Sequence, residues 1–210
     1  MKVVPDVIPN VDPMLDIKIV FGNKLIQPGN FVESSMSETP CHLTLQSYER
    51  GEKMVTVAVI DPDVPNLETN SFNSRCHFLA SNITISPTQS LVDLATLSPD
   101  SQVLLPWLAP HAQKGSPYHR LAIIVLQQKD SIPIDLEVAK TKIQRDGFSV
   151  RSLMSRHMLS PMSASLFRTQ WDDSMADVMK RAGIEGAEVE LKRKKVEPLP
   201  YKRRNPASFR

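Results

Sequence analysis

A chain of 210 residues with 41% apolar and 23% charged residues has the balance of a globular protein, which excludes collagen, coiled coil and wholesale disorder. It is long enough to bury a substantial single core without disulfides or metals as staples, and no apolar run approaches the roughly 20 residues of a membrane span. The net charge is only +2 but is unevenly placed: residues 192–210 hold eight Lys/Arg against one acid, a charge of +7 that leaves −5 on the rest.

Glycine is scarce (7) and proline plentiful (17), which favours strands and turns over long helices. Residues 1–15 are apolar but broken by Pro5, Pro9 and Pro13, and read as an extended segment over a surface. Met1 to Asn10 holds one lysine and no arginine, so neither a secretory signal nor an Arg-rich transit peptide is expected there. Strands are predicted over 16–21, 42–48, 54–60, 76–83 and 121–127. VTVAVI and LAIIVL are short β-branched runs of the kind that forms buried strands. Gly29 after Pro28, and Gly51 after Arg50, mark turns. The period then changes. Residues 148–157 predict a short helix, and 172–181 a better one. In the latter, Trp171, Met175, Val178, Met179 and Ala182 share a face, with acids at its start, Lys180 and Arg181 at its end and Gly183 as a stop. The body is mainly β, with one or two helices near the end.

Asp61-Pro62-Asp63 directly follows VTVAVI, and Pro62 and Pro65 predict a stiff turn that holds both carboxylates at a sheet edge. His77 falls inside the next strand and His119 just before LAIIVL. Two histidines and an aspartate near strand ends can converge on one pocket and hold an anion through imidazole N–H groups oriented by a carboxylate. A turn-capping aspartate and two ordinary hydrogen-bonded histidines is the alternative. Two cysteines make no disulfide framework. Cys41-His42 and Cys76-His77 lack zinc-ligand spacing, so no metal is expected. Ser116 lies near His119 but in no nucleophile elbow, so no enzyme is expected either.

The basic segment comprises Lys192, Arg193, Lys194, Lys195, Lys202, Arg203, Arg204 and Arg210, interrupted by Pro198, Pro200 and Pro206. Such a tail suits a polyanion, because each neutralised phosphate releases counterions. Tyr201 and Phe209 offer rings for stacking on unpaired bases. A solvated terminus or a targeting patch fits the composition equally.

VVPDVIP, QPGN, VIDPDVP, CHFLASNI, KGSPYHRLAIIVLQQ and FRTQWDD, in that order, resemble the phosphatidylethanolamine-binding protein (PEBP) family from about residue 3 to 182. The resemblance implies a β-sandwich with a Greek-key core and short carboxy-terminal helices over 1–182, with 183–210 as an extended basic tail. It also implies that Asp61, His77 and His119, with Asp63 beside them, line a small anion pocket. Three departures stand out: Ala109-Pro110-His111-Ala112-Gln113 where the family has Gly-Pro-Pro, Leu121 where it has an aromatic residue, and Cys76 where it has a first histidine. DVPNLETNSF, HFLASNI and the W-D-D helix with its basic Pro/Tyr tail look like the PEBP-like branch in the mitochondrial large ribosomal subunit of fungi. That resemblance implies a non-catalytic ribosomal constituent in the mitochondrion, without cofactor. Its partners would be large-subunit rRNA, through the tail, and neighbouring ribosomal proteins. Members of that branch carry a region ahead of the domain with the import signal, so a shortened form is expected here. The alternative is a soluble PEBP-type protein that binds phospholipid headgroups or inhibits a protease or kinase.

Overall fold

The computed structural model describes residues 4, 7–9 and 11–192. Two antiparallel sheets face each other. The smaller runs β2 (Lys24–Ile26), β1 (Leu15–Phe21), β3 (His42–Ser47) and β6 (Leu91–Asp93). The larger runs β7 (Val103–Leu105), β5 (Ser71–Ile85), β4 (Lys53–Asn66), β8 (His119–Gln128) and β9 (Leu159–Thr169). In β1, Leu15, Ile17, Ile19 and Phe21 are buried while Asp16 and Lys18 are exposed, the alternation of a strand covered on one face. In β4 every side chain from Val55 to Asp61 is buried, as are most of those in β8, because both faces of the larger sheet are covered there.

Val55, Val57, Val59, Leu121, Ile123 and Val125 point between the sheets and pack with Leu15, Ile19, Phe21 and Leu43. Ala58, Ile60, Ala122 and Ile124 point outward beneath α2 (Leu136–Lys140) and α3 (Val150–His157), which contribute Leu136, Ala139, Val150 and Leu153. Each large aliphatic side chain so buried stabilises the fold by about 1.5–3 kcal/mol. A third cluster joins Ala112 and Trp171 to Met175 and Met179 of α4 (Met175–Arg181). Among the described residues no helix is long and apolar enough to cross a membrane.

The five predicted strands are present, with shifted ends. The strand β9 was not predicted, because LSPMSASLFRT has no alternation. Pairing with β8 from His119↔Thr169 to Gln128↔Leu159 makes it a strand, and Pro161 is accommodated at a register shift on this edge. The expected turn at Asp61–Asp63 is instead a bulge. Strand β4 continues to Asn66, with its register shifted between Asp61 and Val64, and Pro62 falls within that irregularity. Helix α3 starts at Val150 because Ser149 caps it, its Oγ accepting the Ser152 amide at 3.2 Å. Helix α4 starts at Met175 rather than Asp172. The Asp172 carboxylate instead accepts the Ser34 amide (2.7 Å), the Ser34 hydroxyl (2.5 Å) and the Ser174 amide (3.1 Å), tying this corner to α1 (Ser34–Ser37).

Candidate functional site

The site lies at one end of β5, β4 and β8. On β5, Cys76 pairs with Ile60 and Phe78 with Val59, so His77 is the extra residue of a bulge. A bulge re-aims a side chain that strict alternation would place elsewhere. Arg145 fixes this bulge from outside. Its Nη1 donates to the Cys76 and His77 carbonyls at 3.1 and 3.2 Å, and its Nη2 to the Pro106 carbonyl at 2.6 Å.

Asp61 is buried on β4 and His119 on β8, and His119 Nδ1–H donates to Asp61 Oδ2 at 2.6 Å. Asp61 Oδ1 accepts the Asp63 amide at 2.8 Å. Burial alone would raise the Asp61 carboxyl. The hydrogen bond and charge of His119, the nearby His77 and the Asp63 amide outweigh it and hold the carboxyl below its ordinary value. His77 Nδ1–H donates to the Leu108 carbonyl at 3.0 Å, which leaves Nε2 as a buried lone pair without a partner among the described residues. Burial, partly countered by Asp61, pushes the His77 ring down to about 4, so it is neutral near pH 7.

Asp61, His77 and His119 are brought to the same end of the larger sheet, and Asp63 does not join them. Its carboxylate turns to Arg120, accepting the amide at 2.9 Å, Nε at 2.8 Å and Nη2 at 2.7 Å. That pair lines a separate recess with Phe72, Pro117 and Tyr118. Ser116 Oγ lies 3.3 Å from His119 Nε2, but its proton goes to the Gln113 carbonyl at 2.7 Å.

Two residues not assigned to the site complete it. His111 lies 5.5 Å from His77, ring to ring. Its Nδ1–H donates to the Ala109 carbonyl at 2.9 Å, and its Nε2 accepts Arg75 Nη1 at 2.8 Å. Arg75 Nε donates in turn to Asp146 at 2.6 Å. Burial first, then Arg75, lowers the His111 ring from its ordinary value, opposed by the Ala109 carbonyl. The sequence signal was the His111 substitution itself. Arg75 and Arg145 carried none, because their partners are 36 and 69 residues away. Above these groups a cavity of about 340 Å³ is lined by His119, His111, Arg75 and Gln113, together with Met179, Ile184 and Glu185. The chain after α4 is fastened there by Leu191, whose amide donates to the Lys114 carbonyl at 2.7 Å. Gly115, at φ +81°, admits this crossing, since a Cβ would overlap the Leu191 carbonyl oxygen.

The cysteines do not reach the site as thiolates. Cys41 and Cys76 are buried, and burial pushes each thiol up to about 12. Of the predicted RNA-contacting residues, Lys192 is exposed. Arg193, Lys194, Lys195, Lys202, Arg203, Arg204 and Arg210 lie outside the described residues.

A β-sandwich with a carboxylate–histidine pair at one end of its larger sheet defines a protein class, and the comparisons give it a name. The family model described as phosphatidylethanolamine-binding protein matches residues 19–167, and the chain belongs to that family. Among curated proteins it is similar to Large ribosomal subunit protein mL38 of Schizosaccharomyces pombe, with 29% identity over 189 residues. That match covers 88% of this chain and 59% of the relative, so the chain spans about three-fifths of that protein's length. Among solved structures, a phosphatidylethanolamine-binding protein from Plasmodium vivax superposes with a TM-score of 0.62 at 19% identity, covering 81% of this chain and 94% of that one. A carboxypeptidase Y inhibitor, solved with its cognate proteinase, gives 0.54 at 13% identity, covering 76% and 85%. At these identities the two structures show the shared fold alone.

Proposed function

We propose that this protein is a non-catalytic structural constituent of the mitochondrial large ribosomal subunit. The PEBP domain docks on neighbouring ribosomal proteins and rRNA, and the basic segment 192–210 follows rRNA phosphates. The observation that carries this reading is the 29% identity, over 88% of the chain, to a large-subunit protein of Schizosaccharomyces pombe. The site supports it: the His111 imidazole and the Arg75 guanidinium take each other as partners where a ligand would otherwise find free groups. An acidic body suits protein docking, and a charge of +7 in the tail suits a polyanion.

The test is removal of the tail. Deleting residues 192–210 should lower recovery of large-subunit rRNA with the tagged protein by tenfold or more, and wild-type recovery should fall steeply with salt. Equal recovery from the truncated protein would contradict the role given to the tail.

A second reading, binding of a phosphorylated headgroup, is favoured by the 340 Å³ cavity beside His119 and by the partnerless His77 Nε2. Saturable binding of phosphoethanolamine that His119→Ala abolishes would establish it, and no uptake by the wild type would dismiss it.

A further inference from the structure

The acidic body has a basic face of its own. Residues 140–157 hold five Lys/Arg (Lys140, Lys142, Arg145, Arg151, Arg156) against one acid, Asp146, a charge of +4 inside a body that totals −5. This stretch forms the end of α2, the connection and α3, on the outer side of the larger sheet. Its members are not equivalent. Lys140 is paired with Glu137 at 3.8 Å, and Arg145 is committed to three backbone carbonyls.

Lys142 and Arg156 are exposed and have no ion-pair partner among the described residues. Both line one cleft of about 220 Å³, together with Gln144, Ser149 and Ser152. Ser149 Oγ accepts the Ser152 amide and so keeps its own proton to donate. The one acid lining the cleft, Asp146, is neutralised by Arg75 at 2.6 Å. The apolar members Phe148 and Leu153 are buried beneath it. Burial, then Arg156, then Lys142 lower the His157 ring from its ordinary value, so both charges reach the same place on α3. The cleft thus presents two cations and several neutral donors.

We infer that the Lys142–Arg156 cleft is a second RNA contact, holding backbone phosphates of the rRNA on which the domain docks. This rests on the ribosomal reading and sharpens it, since it says which face of an acidic domain turns toward RNA. Phosphate is the fitting ligand because it accepts from a lysine, a guanidinium, hydroxyls and an amide at once. Held through phosphates, the contact is sequence-independent, because phosphate contacts fix register and orientation and carry no base information. A lipid surface is disfavoured, because among the described lining residues Ile143 alone is apolar and half-exposed, too little apolar surface for insertion.

The test uses the full chain and a labelled RNA hairpin, read by fluorescence anisotropy across a salt series. The charge-reversed pair K142E/R156E should weaken binding by about tenfold or more and reduce the salt slope by about two. The control K18E/K24E makes the same change of charge on exposed lysines of β1 and β2. It should change binding by less than about twofold if the contact is local. Equal losses from both pairs, or none from K142E/R156E, would overturn the cleft. So would binding to phosphatidylserine vesicles that depends on Lys142 and Arg156 when hairpin binding does not. The failure of the ribosomal reading is separately visible. A wild-type chain absent from the large subunit refutes that reading, while the hairpin titration still judges the cleft.

Discussion

Two buried polar clusters sit at opposite ends of the same three strands, β5, β4 and β8. At one end Gln128 Oε1 accepts the Asn82 amide at 2.8 Å and the Thr56 hydroxyl at 3.3 Å. Its Nε2 donates to Asn82 Oδ1 at 3.0 Å and to the Ile132 carbonyl at 2.8 Å. Asn82, at φ +60°, also holds the Ile134 amide and carbonyl, at 2.8 and 3.0 Å. At the other end Asp61 and His119 are paired, but the buried His77 Nε2 has no partner among the described residues. A closed network fixes a loop to a sheet and needs nothing from outside. An open one leaves a desolvated group exposed to cost, which a fold tolerates where a site stands or once stood. The first end thus belongs to the architecture, and the second keeps a polar group that the architecture does not satisfy.

The comparison breaks most readily at the closed end. Gln128→Leu keeps the volume but orphans the Asn82 amide and the Ile132 carbonyl. It should destabilise the protein by about 2–4 kcal/mol, read as a shifted urea midpoint with unchanged slope. A loss under about 1 kcal/mol would mean that the network is not the anchor its geometry suggests.

The open end answers to pH. His77 titrates at about 4 when folded and near 6.5 when unfolded, so between these values the unfolded chain binds a proton that the folded chain refuses. Stability from this ring is complete above pH 6.5 and falls as the pH drops toward 4, by up to about 3 kcal/mol. His111 moves the same way. Asp61, lowered from 3.8, contributes only beneath that window. Urea unfolding at pH 7, 5 and 4 should show this loss, and His77→Phe should flatten it.

At pH 7 the same His77→Phe change should alter stability by less than about 1 kcal/mol. It removes one orphan acceptor while freeing the Leu108 carbonyl. A larger loss would indicate that Nε2 has a partner in solution.

Much of this was legible in the residues. The β-branched runs VTVAVI and LAIIVL announced β4 and β8, and Asp61 and His119 stood at the strand positions where the two side chains meet. What escaped was whatever pairing alone creates. Strand β9 has a serine-rich sequence that only β8 turns into a strand. Asp63 was grouped with Asp61 because they are neighbours in sequence, but the β4 bulge sends it to Arg120. Arg145 was invisible because its partners are carbonyls of distant backbone. The basic face of α2 and α3 was hidden by summing charge over the whole body, where acids elsewhere cancel it.

The ribosomal assignment is tested most directly by sedimentation. A mitochondrial lysate is resolved on sucrose gradients at low and high magnesium, and this protein is followed through the fractions. The account predicts that it travels with the large subunit under both conditions. Recovery at the top of both gradients would contradict it and turn attention to ligands of the Asp61–His119 pocket.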